Sequence, residues 1–174
     1  MPSNDDWYEV VSGGRELLQG DLLSECPTIQ ADDNMPYPLP GDAIPAKRGD
    51  SDIVILTQSC DLANDKVTMV LCCPHFDVDT ARRAEPSLAS NLKDIKKERF
   101  FRYALLAAYS SSEISLALRI VDLGTAIVLP KAFLQKVAAA RDPRLRLCPP
   151  YREHLSQAFA RFYMRVARPT EPQI

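Results

Sequence analysis

The chain has 174 residues, a formal net charge of −2, and 46% hydrophobic against 25% charged residues. That composition fits one globular domain with a real core and excludes a surface dominated by polyanion binding, leaving room only for a local basic stripe. No apolar run approaches the roughly 20 residues that cross a bilayer. The opening residues are polar and acidic, so neither a membrane span nor a secretory leader is expected, and the expected setting is cytoplasmic.

Residues 1–14 read as a frayed terminus ending at Gly13-Gly14, with Trp7, Tyr8 and Val10 as docking points. Arg15–Gln19 suggests a short helical turn before Gly20-Asp21, which opens a strand at Leu22-Leu23-Ser24. Residues 27–49 read as one long irregular loop, because Pro27, Pro36, Pro38, Pro40 and Pro45 oppose both helix and central strand. The continuous run Ile53-Val54-Ile55-Leu56 predicts a strand buried on both faces. It passes into the polar sequence Thr57-Gln58-Ser59-Cys60-Asp61, and Ala63–Lys66 turns the chain into a second, antiparallel strand over Val67–Cys73.

Further along, Ser87 predicts the cap of a helix carrying Leu88, Leu92 and Ile95 on one face. Phe100–Ala108 and Ile114–Leu123 predict a hairpin around Ser110–Ser112, and Ala126–Leu129 a short strand stopped by Pro130. Ala132–Arg141 is helical by composition. After Pro149-Pro150, the residues Tyr151, Leu155, Phe159, Phe162 and Val166 form one stripe of a closing helix, Tyr151–Val166. This order predicts a single α+β domain over 1–174. Its sheet is small, curved and antiparallel, or a partly open SH3-like barrel, with the C-terminal amphipathic helix packed on it.

The chemistry-bearing residues fall into three groups. Cys60 is a candidate nucleophile if an imidazole, His154, and Asp61 come beside it; the plainer reading is a small buried side chain next to a turn cap. Thr57, Gln58 and Ser59 end the strand, where polar residues bind substrate or simply satisfy backbone. Asp122 and Asp65 read as turn residues before they read as bases. Arg152, Arg161 and Arg165, with Arg141, Arg144, Arg146 and Arg168, concentrate near Tyr151 and Tyr163. They offer phosphate forks and stacking rings, or a solvated face with internal ion pairs to Glu153 and Asp142. The five irregularly spaced cysteines imply reduced thiols rather than a disulfide framework. Cys72-Cys73-Pro74-His75 can supply two ligands, but no zinc spacing accompanies them and no metal or cofactor is expected. No glycine-rich phosphate loop is present.

Thr57-Gln58-Ser59-Cys60-Asp61-Leu62, following its apolar strand, resembles a group of bacterial proteins with a Cys-Asp-Leu motif. Pro149-Pro150-Tyr151-Arg152-Glu153-His154-Leu155 resembles the closing helix of the same group. The order of Gly20–Leu23, Ile53–Thr57 and Ile120–Pro130 is similar to that of PemK/MazF-like toxins. This second resemblance implies an SH3-like barrel, endoribonuclease activity and an antitoxin or defence operon; none of that family's catalytic residues has a matching position here. The resulting expectation is a defence or toxin–antitoxin accessory or effector protein that binds RNA or a protein partner from its operon, with a homodimer open. As a ribonuclease it would use His154 or Asp61 for protons and Arg152 for the developing phosphorane charge. The rivals are a non-catalytic interaction module and a Cys60-dependent hydrolase or transferase.

Overall fold

The computed structural model describes residues 7–31, 41, 43 and 45–164. In chain order the elements are β1 (Tyr8–Val11), β2 (Leu22–Ala31), β3 (Ala46–Ile55), α1 (Ser59–Ala63), β4 (Met69–Asp77) and α2 (Val78–Ala84). They continue with α3 (Pro86–Ser90), α4 (Leu92–Lys96), β5 (Tyr103–Leu106), β6 (Tyr109–Ser110), β7 (Ser115–Leu116) and β8 (Arg119–Asp122). The chain closes with β9 (Ile127–Pro130), α5 (Lys131–Ala140), β10 (Arg144–Leu147) and α6 (Tyr151–Tyr163). The fold is α+β, built on antiparallel sheets that do not close into a barrel.

β4 is the pivot. Cys72–Pro74 pair with β3 on one side. On the other side Met69–Cys72 pair with β9 and His75–Asp77 with β8. The main path runs β2-β3-β4-β8-β5, and β10 pairs with β1 in a separate ribbon. An Asp21–Arg146 bridge and a Leu147 N–H to Gly20 C=O bond of 2.9 Å tie that ribbon to the start of β2. Gly20 has φ +86°, and a Cβ there would stand 3.0 Å from Leu147 and 3.2 Å from Arg152, so both conformation and space favour glycine.

The Ile53–Leu56 run is buried on both faces, as its composition requires. Ile53 and Ile55 join Leu23, Leu62, Val70 and Leu134 beneath α5. Val54 and Leu56 join Leu106, Val121, Leu145, Leu147 and Leu155 beneath α6. Strand alternation thus feeds two cores from one segment. A third core, Ala81, Leu88, Ile95 and Ile120, lies under α2–α4. The hairpin over Phe100–Leu123 is present, as β5–β8 with β6–β7 at its tip.

Several sequence expectations are corrected. Residues 8–11 are not frayed: they pair with all of β10, and the buried Tyr8 phenol donates to the Ala107 carbonyl at 2.8 Å. The loop expected over 27–49 is strand at both ends, because β2 runs through Pro27 to Ala31 and β3 begins at Ala46. Pro27 is tolerated because β2 is the sheet edge there and follows an irregularity near Glu25, so no second neighbour needs its missing N–H. Pro36, Pro38 and Pro40 lie outside the described residues. Arg15–Gln19 is not helical. Ser87 lies inside α3 instead of capping a longer helix, and the expected helix is broken at Asn91. Pro86 biases Glu85 toward extended backbone, which separates α2 from α3.

The largest misreading concerns β10. Arg144-Leu145-Arg146-Leu147 alternates with a period of two, yet the arginines do not face water. Both are buried against Asp21, itself 0% exposed. Arg144 Nε donates to Asp21 Oδ2 at 3.0 Å, and Arg146 uses Nε and Nη2 on the same carboxylate. Arg146 Nη1 donates to the Glu9 carboxylate at 3.3 Å, and the other donors reach the carbonyls of Ser12, Gly13, Arg15 and Glu16, which organises the approach to β2.

Candidate functional site

The polar end of β3 folds into a single helical turn, α1. Thr57 Oγ1 accepts the Leu71 N–H at 2.7 Å and Ser59 Oγ accepts the Gln19 N–H at 3.2 Å, so both side chains serve the backbone. Gln58 and Cys60 are exposed. Cys60 Sγ lies 3.7 Å from Gln58 Oε1 and 3.7 Å from Asp61 Oδ1. Asp61 also faces Lys66 Nζ at 3.9 Å, a half-exposed pair worth little.

Gln19 links this corner to the closing helix. Its side-chain amide donates to Ser156 Oγ of α6 at 2.6 Å and to the Leu56 carbonyl at 3.4 Å, while its main-chain N–H holds Ser59. The strand-end polar residues and the first turns of α6 therefore share one neighbourhood. The individual side chains divide across it. Arg152 lies over Gly20 and donates to Glu153 at 2.7 Å, which helps hold Glu153 below the usual carboxylate range against the opposing effect of burial. His154 and Arg161 sit on the other flank of α6, lining a separate groove with Tyr151. Cys60's described partners are Gln58 and Asp61, and His154 is not among them. Arg165 lies outside the described residues.

Cys72 and Cys73 point into different cores, as adjacent strand residues must. His75 is buried, and neither ring nitrogen has a hydrogen-bond partner of ordinary geometry among the described residues. Burial first, then the charge of Arg119, pushes its pKa down to about 4; Asp52 and the nearby Ile53 backbone act weakly in the opposite sense. Among the described residues no cluster of three or more His, Cys, Asp or Glu side chains is arranged to hold a metal ion. Asp122 is the anchor of its turn, accepting from Gly124 N–H at 2.9 Å, from Thr125 Oγ1 and from both forks of Arg102.

The feature that sequence reasoning missed is a groove of about 290 Å³ between α6 and the α4–β5 segment. Ile95, Phe100 and Phe101 form one wall, Tyr151, Leu155 and Ala158 the other, and Trp7 closes one end by stacking on Tyr151 at 4.0 Å between ring centroids. Residues of β5 line its base. Phe100 and Phe101 are 39% and 47% exposed at the lip. Arg161 and Glu98 pair across the groove at 2.5 Å, with both side chains at least half exposed. The sequence signal was there in Phe100-Phe101 before a strand, but only the fold sets them opposite α6. No family model, no curated protein and no solved structure matches the chain, so the resemblances noted in its sequence rest on those segments alone.

Proposed function

We propose that this chain is a non-catalytic accessory protein that docks a segment of a partner protein in the groove between α4 and α6. The observation that supports this reading is the groove itself: aromatic walls, two half-exposed phenylalanines at the lip and a thin polar rim. Exposed apolar surface bounded by polar groups is a usual mark of an interaction site, and the volume is near the lower end of the range for ligand pockets. A partner from the same operon, in a defence or toxin–antitoxin setting, is the context supplied by the sequence resemblance.

The ribonuclease reading has less beneath it. Two of the arginines that suggested a phosphate surface, Arg144 and Arg146, are buried on Asp21. Arg141, Arg152 and Arg161 are each paired with a carboxylate, and His154 lies on the opposite flank of α6 from Arg152. The Cys60 reading keeps an exposed thiol beside Asp61.

The test is selection of a phage-displayed random dodecapeptide library on the full chain, alongside Ala158→Phe, which fills the groove, and Phe101→Ser, which strips its lip. Selected peptides should bind the parent protein with micromolar affinity and lose about tenfold or more on both variants. Absence of groove-dependent peptides, together with binding or cleavage of labelled single-stranded RNA at low salt, would transfer the function to the ribonuclease reading.

A further inference from the structure

The base of the groove is a sheet edge. β5 ends the strand order and, among the described residues, pairs with β8 alone. The register sets Tyr103 opposite Asp122 and Leu105 opposite Ile120, and the Leu123 N–H bonds the Arg102 carbonyl at 2.8 Å. In an antiparallel ladder, bonded and non-bonded pairs alternate, so Arg102, Ala104 and Leu106 direct their main-chain groups toward β8. The Leu105 N–H and C=O and the Tyr103 C=O consequently face the other way, toward the unpaired side. Among the described residues no strand pairs with that side.

Resting on the docking reading above, we infer that the groove takes an extended segment of the partner protein, added as a strand to the open edge of β5. Exposed edges are normally blunted by charge, proline or a covering helix. Here Tyr103-Ala104-Leu105-Leu106 carries neither charge nor proline, and the flanking α4 and α6 segments wall a groove rather than close it. Such an edge gives affinity through main-chain bonds and specificity through alternate side chains. A strand laid along β5 sends successive side chains to opposite faces, one set toward Ile95 and Phe101, the other toward Leu155 and Ala158. Both sets are therefore apolar.

The rim adds a charge preference. Among the described residues that line it, the cations Lys96 and Arg161 stand there against a single carboxylate, Glu98. The Arg161–Glu98 pair is solvent-exposed at both ends and contributes little stability, so an incoming acid can displace Glu98 from Arg161 at small cost. The occupant is an apolar strand bearing one acidic residue.

Peptides selected on the full chain test this directly. Their sequences should be rich in β-branched and aromatic residues and carry an Asp or Glu. Synthetic copies N-methylated at alternate amides should lose about tenfold in affinity in one of the two phases and far less in the other, because only one set of amides faces β5. Lys96→Glu should weaken the acidic peptides and leave glutamine-substituted copies unaffected. Groove-dependent peptides with helical spacing of apolar residues, indifferent to N-methylation in both phases, would overturn strand addition while leaving the docking reading intact. Failure to select any peptide sensitive to Ala158→Phe or Phe101→Ser would overturn both.

Discussion

Asp21→Asn is the sharpest probe of how the fold is held. The substitution keeps the shape of the side chain and removes its charge. In the native protein that charge faces two guanidinium groups whose side chains are 1% and 6% exposed, with the carboxylate itself at 0%. Asparagine would leave Arg144 buried without its counter-charge and Arg146 with only the half-exposed Glu9 carboxylate at 3.3 Å, and one of its terminal atoms would become a donor facing donors. Breaking a buried ion pair of this kind costs about 3–5 kcal/mol, a large part of the 5–15 kcal/mol that stabilises an ordinary domain. At about 2–4 °C per kcal/mol for a chain of this size, Tm should fall by about 6–20 °C. Circular dichroism melts and urea titrations at neutral pH measure it. Replacing all three residues by apolar ones should not restore the parent stability, because Arg144 and Arg146 also serve the carbonyls of Ser12, Gly13, Arg15 and Glu16. A Tm loss below about 3 °C for Asp21→Asn would refute the buried triad as a keystone.

Two further outcomes follow from buried groups. His75 titrates near 4 in the folded protein and near 6.5 when unfolded, so between those values the unfolded chain binds more protons. Its contribution is complete above about pH 6.5 and is lost as pH falls through about 4, a decline of about 3 kcal/mol. His75→Leu should flatten that part of the stability–pH curve without loss at neutral pH, and an unchanged slope would count against the assignment. Among the thiols, Cys60 should react with a disulfide reagent in the native protein, and Cys148 more slowly. Burial pushes Cys26 up to about 11 and Cys73 up to about 12, and raises Cys72 further, so these three should react only on unfolding. Mass-spectrometric mapping of the labelled sites distinguishes the cases, and native labelling of Cys72 would contradict the packing.

How much of this was legible in the sequence depended on whether the deciding interaction was local. Ile53–Leu56 announced itself because a strand buried on both faces needs apolar residues at every position. The Tyr151–Phe162 stripe did so through helical spacing, and Leu155 is indeed core. Arg144-Leu145-Arg146-Leu147 hid its strand because the partner that permits buried arginines, Asp21, lies over 120 residues away. Pro27 argued for a loop because its tolerance depends on β2 being an edge, a property of topology. At the candidate site, the strand end with Ser59 is joined to α6 through Gln19 and Ser156, a link between segments distant in the chain that no local pattern announces. Helical spacing puts His154 and Arg161 on one flank of that helix and Arg152 on the other, and the structure keeps that division; what the sequence could not show is which elements pack against each flank. The groove was invisible for the same reason: β5 becomes an edge only through sheet order, and Phe100-Phe101 become a wall only once α6 packs opposite.

The most direct measurement is residue-resolved amide hydrogen exchange on the full chain, with and without a saturating groove-selected peptide. Docking on β5 predicts that the Leu105 amide, which faces the unpaired side of the sheet, slows by at least about tenfold on binding. Ala104 and Leu106, already bonded to β8, should change little. Unaltered exchange at Leu105, with protection confined to α6 or absent, would contradict the account.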